Sequence, residues 1–178
     1  MAIESHDGGC LVVVRRGLSL LLLACLTLIA GCGGSDSAGL VKGEATPGFE
    51  LQRLDRGMAR FPGDFAGQVV VIRFWADWCP FCESEMKAIE PVYRKYREKG
   101  LRILALNVRQ DRRTATAFID KLGISYDTLL DEEGAVARAY GVIGLPTTFI
   151  LDRKGRLATR ILGESSAELF EQLVRDQL

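Results

Sequence analysis

The stretch from Val69 to Cys82 most limits what this chain can fold into. Val69-Val70-Val71-Ile72 is an unbroken β-branched series, the composition of a strand with no solvent-facing side. It runs on through Arg73-Phe74-Trp75 and meets Cys79-Pro80-Phe81-Cys82. From there Cys82, Met86, Ile89, Tyr93 and Tyr96 recur at helical spacing, which predicts a helix over about 80–99 with one buried face. Pro91 falls inside that helix and should kink it. A strand therefore delivers a Cys-x-x-Cys pair to a helix N-terminus, where amides are unpaired and the dipole is positive. A thiolate at Cys79 is favoured there, as a redox-active thiol pair requires. Cys82 opens the buried face, whereas Cys79 is expected at the exposed start of the helix. That asymmetry assigns nucleophilic attack to Cys79 and resolution to Cys82.

The rest of the chain alternates strand and helix. Phe49 to Leu54 reads as a short edge strand, and Phe61 to Gly67 as a turn-rich connector. Leu101 to Val108 is a second strand, joined to the first by a helix and so parallel to it. Asp111 to Leu122 is helical, with Ala115, Phe118, Ile119 and Leu122 on one face. Tyr126 to Leu130 is a short strand, and Asp131 to Tyr140 a helix with Asp131 as its cap. A loop, Gly141 to Pro146, leads into a strand over Thr147 to Leu151. Asp152 to Gly155 turns the chain, and Leu157 to Leu162 returns antiparallel. Ser165 to Glu168 fits a capping box for a last helix that buries Leu169, Phe170, Leu173 and Val174. These elements make an α/β fold, a central mixed sheet flanked by helices, in one domain over 47–178. Arg73 is expected to snorkel to the end of the sheet. Arg94-Lys95 and Arg112-Arg113 read as solvated faces. Trp75 and Trp78 are open between core and substrate platform.

The N-terminal part fixes how the cysteines are counted. Arg15-Arg16 precedes a 13-residue apolar run, Leu18 to Ala30, followed by Gly31-Cys32. This reads as an export signal, and the run is short for a bilayer-spanning helix, which needs about 20 residues. Ile29-Ala30-Gly31-Cys32 resembles the bacterial lipoprotein signal, in which the cysteine is lipidated and becomes the first residue. The expected organisation is a signal peptide over 1–31, lipid on Cys32, and a Gly/Ser-rich tether over 32–46. Processing would remove Cys10, Cys25 and the sole histidine, His6, so that Cys79 and Cys82 are the remaining thiols. No metal site is expected, since zinc takes about four Cys, His or carboxylate ligands. Ser-His-Asp and Cys-His catalysis are excluded in the same way. Lys+Arg and Asp+Glu number 23 each, so net charge gives no argument for nucleic acid.

Phe74-Trp75-Ala76-x-Trp78-Cys79-x-x-Cys82 resembles the thioredoxins, and Leu145-Pro146-Thr147-Thr148-Phe149 resembles their second hallmark, a cis-proline loop opposite the cysteines. The additional helix and strand between Asp111 and Leu130 look like the insertion of the extracytoplasmic branch, the TlpA, ResA and DsbE (CcmG) type. The resemblance covers about residues 46–165. It implies a membrane-tethered, monomeric thiol–disulfide oxidoreductase with no cofactor beyond a Cys79–Cys82 disulfide. Such an enzyme acts on exported protein thiols, for example apocytochrome c or a copper-delivery protein, and draws electrons from a membrane donor. The resemblance also implies that Glu85, three residues after the second cysteine, supports proton transfer. Trp78, Pro80, Leu145 and Pro146 would contact substrate, with a backbone edge at Leu145 and Pro146 for strand pairing. Thioredoxins carry a buried acid where this chain has Arg73, and an arginine cannot take up a proton at working pH. Two alternatives stay open: a disulfide-forming oxidase or thiol peroxidase, and a non-enzymatic binding or metal-carrier module. For a peroxidase, Asp77-Trp78 before Cys79 does not supply the Thr-x-x-Cys turn.

Overall fold

A computed structural model describes residues 39–178. The signal-like segment 1–31, Cys32 and the first part of the expected tether lie outside the described residues. Seven strands form one sheet: β1 (Phe49–Arg53), β2 (Met58–Phe61), β3 (Val69–Trp75), β4 (Leu101–Val108), β5 (Asp127–Asp131), β6 (Thr147–Leu151) and β7 (Leu157–Leu162). Among the described residues four α-helices accompany them: α1 (Cys82–Tyr96), α2 (Arg112–Ile119), α3 (Ala135–Ala139) and α4 (Ala167–Arg175). The strand order is β2-β1-β5-β4-β3-β6-β7.

β3 lies inside the sheet, parallel to β4 and antiparallel to β6. All seven of its residues are buried, as its β-branched composition requires. Alternation sorts them to two cores. Val69, Val71 and Trp75 join α1, α2 and α4 on one face, in the cluster that also holds Cys79, Cys82, Met86, Phe118, Phe170 and Val174. Val70, Ile72 and Phe74 face the other way, toward Phe61, Phe65, Tyr140 and Phe149. Arg73 follows the odd-numbered residues, so it points to the cysteine side.

Several elements depart from what the sequence suggests. β1 is not an edge strand, because the missed strand β2 covers one side of it and β5 pairs with the other. The expected connector is instead the end of β2 followed by a 3-10 turn, Gly63–Phe65. α1 starts at Cys82, two residues later than predicted, so Cys79 precedes the helix. Asp131 ends β5 rather than starting a helix; its carboxylate still accepts from the Val136 and Ala137 amides at the start of α3. Ser166, not Ser165, caps α4 by accepting from the Leu169 amide. Leu169 is 45% exposed, because the face that meets the core is carried by Phe170 and Val174. The last residues of the expected tether are tied to the folded body. The Gly43 amide donates to Leu157 O (2.8 Å), the Leu157 amide to Glu44 O (2.9 Å), and Ala45 bridges Arg156.

Candidate active site

Cys79 and Cys82 are joined as a disulfide, with Cα atoms 5.4 Å apart. They occupy the turn between β3 and α1. The Cys79 amide donates to Ala76 O and the Cys82 amide to Cys79 O, both at 3.2 Å. The predicted exposure of Cys79 is corrected: it is 2% exposed and Cys82 is 0% exposed. Its neighbours in the chain are far more open. Trp78 is 68% and Phe81 50% exposed, and Pro80 is exposed, so the loop carries apolar side chains at its surface with the sulfurs beneath. The two tryptophans divide the roles left open for them. Trp75 is fully buried and stacks on Phe118 with ring centroids 4.9 Å apart, and Trp78 faces solvent.

Upstream of the cysteines the loop is clamped to the end of β4. The Asp77 amide donates to Gln110 Oε1 (2.9 Å), which also accepts from Asn107 Nδ2 (2.9 Å); Gln110 Nε2 donates back to Asp77 Oδ1. Sequence reading missed Gln110 and Asn107, whose only signal is their position at the C-terminal end of a parallel strand. Downstream, α1 is held to the segment before β5. Tyr126 donates its hydroxyl to Met86 O (2.9 Å), and burial pushes that phenol's pKa up, so it stays a donor.

Glu85 lies on the buried face of α1, one turn after Cys82 and 2% exposed. Positions three apart on a helix are neighbours, about 5–6 Å between Cβ atoms. Its carboxylate is held at both oxygens. Arg73 Nη2 donates to Oε2 at 2.7 Å, while the Ser165 hydroxyl (2.8 Å) and amide (3.3 Å) donate to Oε1. Arg73 does not snorkel. It is 0% exposed, and its Nη1 donates to Thr148 Oγ1 (3.1 Å), its partner across the β3–β6 ladder. A guanidinium taken out of water needs such partners; the Glu85 carboxylate and the Thr148 hydroxyl serve its two Nη atoms, and Nε is left without one.

Thr148 belongs to the second loop of the site. Leu145-Pro146 is a cis peptide, and Pro146 O accepts from the Gly163 amide at 2.9 Å. Leu145 packs against the cluster that contains both cysteines. Trp78 and Leu145 line one groove of about 240 Å³, which joins the disulfide loop to the cis-proline loop. The structure therefore gathers Cys79, Cys82, Glu85, Trp78, Leu145 and Pro146 at one end of the sheet. Pro80 sits at the loop surface outside that groove. One expected solvated face is corrected at Arg112, which is partly buried, whereas Arg94 and Lys95 are exposed as expected. Arg112 donates to the carbonyls of Arg53 and Leu54 and to Gln52 Oε1, locking the β1–β2 turn. Arg94 and Lys95 pair with Glu90 and Glu171. Among the described residues no cluster of His, Cys, Asp or Glu could hold a metal, and no helix is long and apolar enough to cross a membrane.

The AhpC/TSA family model matches residues 42–160. The chain is 34% identical over 163 residues to thiol-disulfide oxidoreductase ResA of Geobacillus thermodenitrificans, covering 90% of this chain and 92% of the relative. It is 32% identical to ResA of Halalkalibacterium halodurans, covering 76% and 78%. A Chlorobium tepidum structure assigned to thiol:disulfide interchange protein DsbE superposes with a TM-score of 0.73 at 30% identity, covering 78% of this chain and 99% of that one. StoA of Bacillus subtilis, at 23% identity and a TM-score of 0.63, shares the fold over 72% of this chain and 97% of its own.

Proposed function

Because the chain belongs to the AhpC/TSA family and is a thiol–disulfide oxidoreductase of the thioredoxin-like ResA and DsbE type, we propose that it works outside the cytoplasm, tethered through lipid on Cys32, as a reductant of disulfides in particular exported proteins. The observation that carries the reading is the buried Cys79–Cys82 pair, set beside a groove that Trp78 and Leu145 line. A substrate strand lies along Leu145 and Pro146, displacing the cover over Cys79. The Cys79 thiolate attacks one substrate sulfur; an S–S bond forms between enzyme and substrate, and the other substrate sulfur leaves as a thiolate and takes a proton. Cys82 then loses its proton and attacks Cys79 Sγ, so the second substrate thiol departs and the enzyme disulfide closes. Two electrons pass to the substrate, and a membrane thiol donor restores them.

Glu85 receives the Cys82 proton in this scheme. It shares the helix face of Cys82, and Ser165 and Arg73 hold its two oxygens. Proteins of apocytochrome c or copper-delivery type are the substrates this reading favours.

The test is trapping and potential together. Cys82→Ser should accumulate a mixed disulfide with a disulfide-bonded model protein, and Cys79→Ser should not. The wild-type couple should lie near thioredoxin's, about −270 mV; a value near −120 mV would make the protein an oxidant instead. If both single variants trap equally, the division of labour between the sulfurs is wrong.

A further inference from the structure

The groove beside the disulfide has a composition that the exchange chemistry does not use. Trp78, Val142, Ile143 and Leu145 supply apolar surface, and Ile143 is 94% exposed at the mouth. Its other wall carries two arginines, Arg109 and Arg138, and no carboxylate lines it. Both arginines are exposed, and among the described residues neither is in an ion pair with an acid. Arg138 donates only to a backbone carbonyl, that of Glu133 (2.7 Å). The nearby acids are otherwise disposed, since Asp131 is buried capping α3, while Glu132 and Glu133 lie outside the lining.

Arg109 is held in place at a cost. Its φ is +58°, a left-handed conformation that non-glycine residues adopt rarely. Its amide donates to Asp131 O at 3.0 Å. Its side chain lies across Gly134, where an added Cβ would come within 2.8 Å of Nε and 3.0 Å of Cγ. The stem is thus seated on a residue that leaves room for it, and the guanidinium reaches the groove wall.

We propose that this groove selects protein segments with an acidic residue and an apolar residue flanking the reacting cysteine, Arg109 and Arg138 taking the carboxylate and Ile143 with Trp78 the apolar side chain. The inference rests on the thiol–disulfide reading above and names its substrate class. A groove of about 240 Å³ is smaller than a site that encloses a free ligand, about 300–1,000 Å³, and suits side chains of a docked segment. Two unpaired cations beside an apolar shelf favour an acidic partner and repel a basic one.

The experiment uses two disulfide-cyclised peptides that differ only in carrying Glu or Lys next to one cysteine, reduced by the pre-reduced protein. kcat/KM for the Glu peptide should exceed that for the Lys peptide about tenfold at low salt, and the ratio should shrink in about 0.5 M NaCl. The Arg109→Gln/Arg138→Gln variant should bring the ratio close to one, and Arg109→Lys/Arg138→Lys should keep most of it. Equal rates on the two peptides, or a ratio that survives in the double glutamine variant, would overturn the proposal. The neutral 2-hydroxyethyl disulfide separates the two levels. If the unaltered protein reduces it but does not distinguish the peptides, only the groove assignment fails. If it reduces none of the three, the exchange reading fails first.

Discussion

Arg73 and Glu85 are two opposite charges withdrawn from water on the same side of the sheet as both cysteines, 0% and 1% exposed in their side chains. Removing one partner of such a pair costs about 3–5 kcal/mol, because the other charge stays buried alone. Arg73→Leu should therefore lower the urea unfolding free energy by about that much, and Arg73→Leu/Glu85→Leu should recover most of the loss. A single variant no worse than a surface change, within about 0.5 kcal/mol, would show that the pair contributes little. Both residues were legible as oddities: an arginine in an apolar strand and a glutamate on an apolar stripe. Their pairing was not. It depends on which side of β3 the helix docks and on Ser165 turning inward after β7, and neither is a local property of the chain. The burial of Cys79 was hidden for a similar reason, since it depends on the tertiary cluster that Leu145 also joins.

At the scale of elements, the inserted α2 and β5 do more than lengthen the sheet. The segment between them grips α1 through Tyr126 and through Ser125, whose amide (2.9 Å) and hydroxyl (2.7 Å) donate to the Glu90 carboxylate. Burial alone would push the Glu90 pKa up, but the two Ser125 bonds and the Arg94 guanidinium outweigh it and hold the carboxyl below its ordinary 4.5. A carboxyl held lower in the folded than in the unfolded chain adds stability above the unfolded value and loses it as pH falls through the folded one. Glu90→Gln should thus destabilise at pH 7, and the gap to wild type should close as pH drops from about 5 to about 3. Urea midpoints across that range check it; a gap independent of pH would mean that charge plays no part. The strands and helices with clean periods, β3, β4, β6, β7 and the face of α1, were readable from the sequence. β2 was not, because Met58-Ala59-Arg60-Phe61 is four residues long and alternates only weakly at the sheet edge. The capping serine was off by one because Ser165 alone has a glutamate, Glu168, three residues on, and a tertiary contact with Glu85 draws Ser165 away.

Taken whole, the domain starts earlier than its first strand suggests. Three backbone hydrogen bonds tie residues 43–46 to the turn and strand around Gly155 and Leu157. At about 0.5–1.5 kcal/mol each, their loss should matter. A chain beginning at residue 47 should be less stable by about 1.5–4.5 kcal/mol than one beginning at 39, read as a lower thermal midpoint. Equal midpoints would make these residues passive linker after all. The covered disulfide has a consequence at this scale too. A sulfur that solvent barely touches meets small thiols and oxidants less often than one at the surface does. Partial insulation of this kind lets one wire run beside others with less leakage, so the pair holds its own redox state for longer among competing couples.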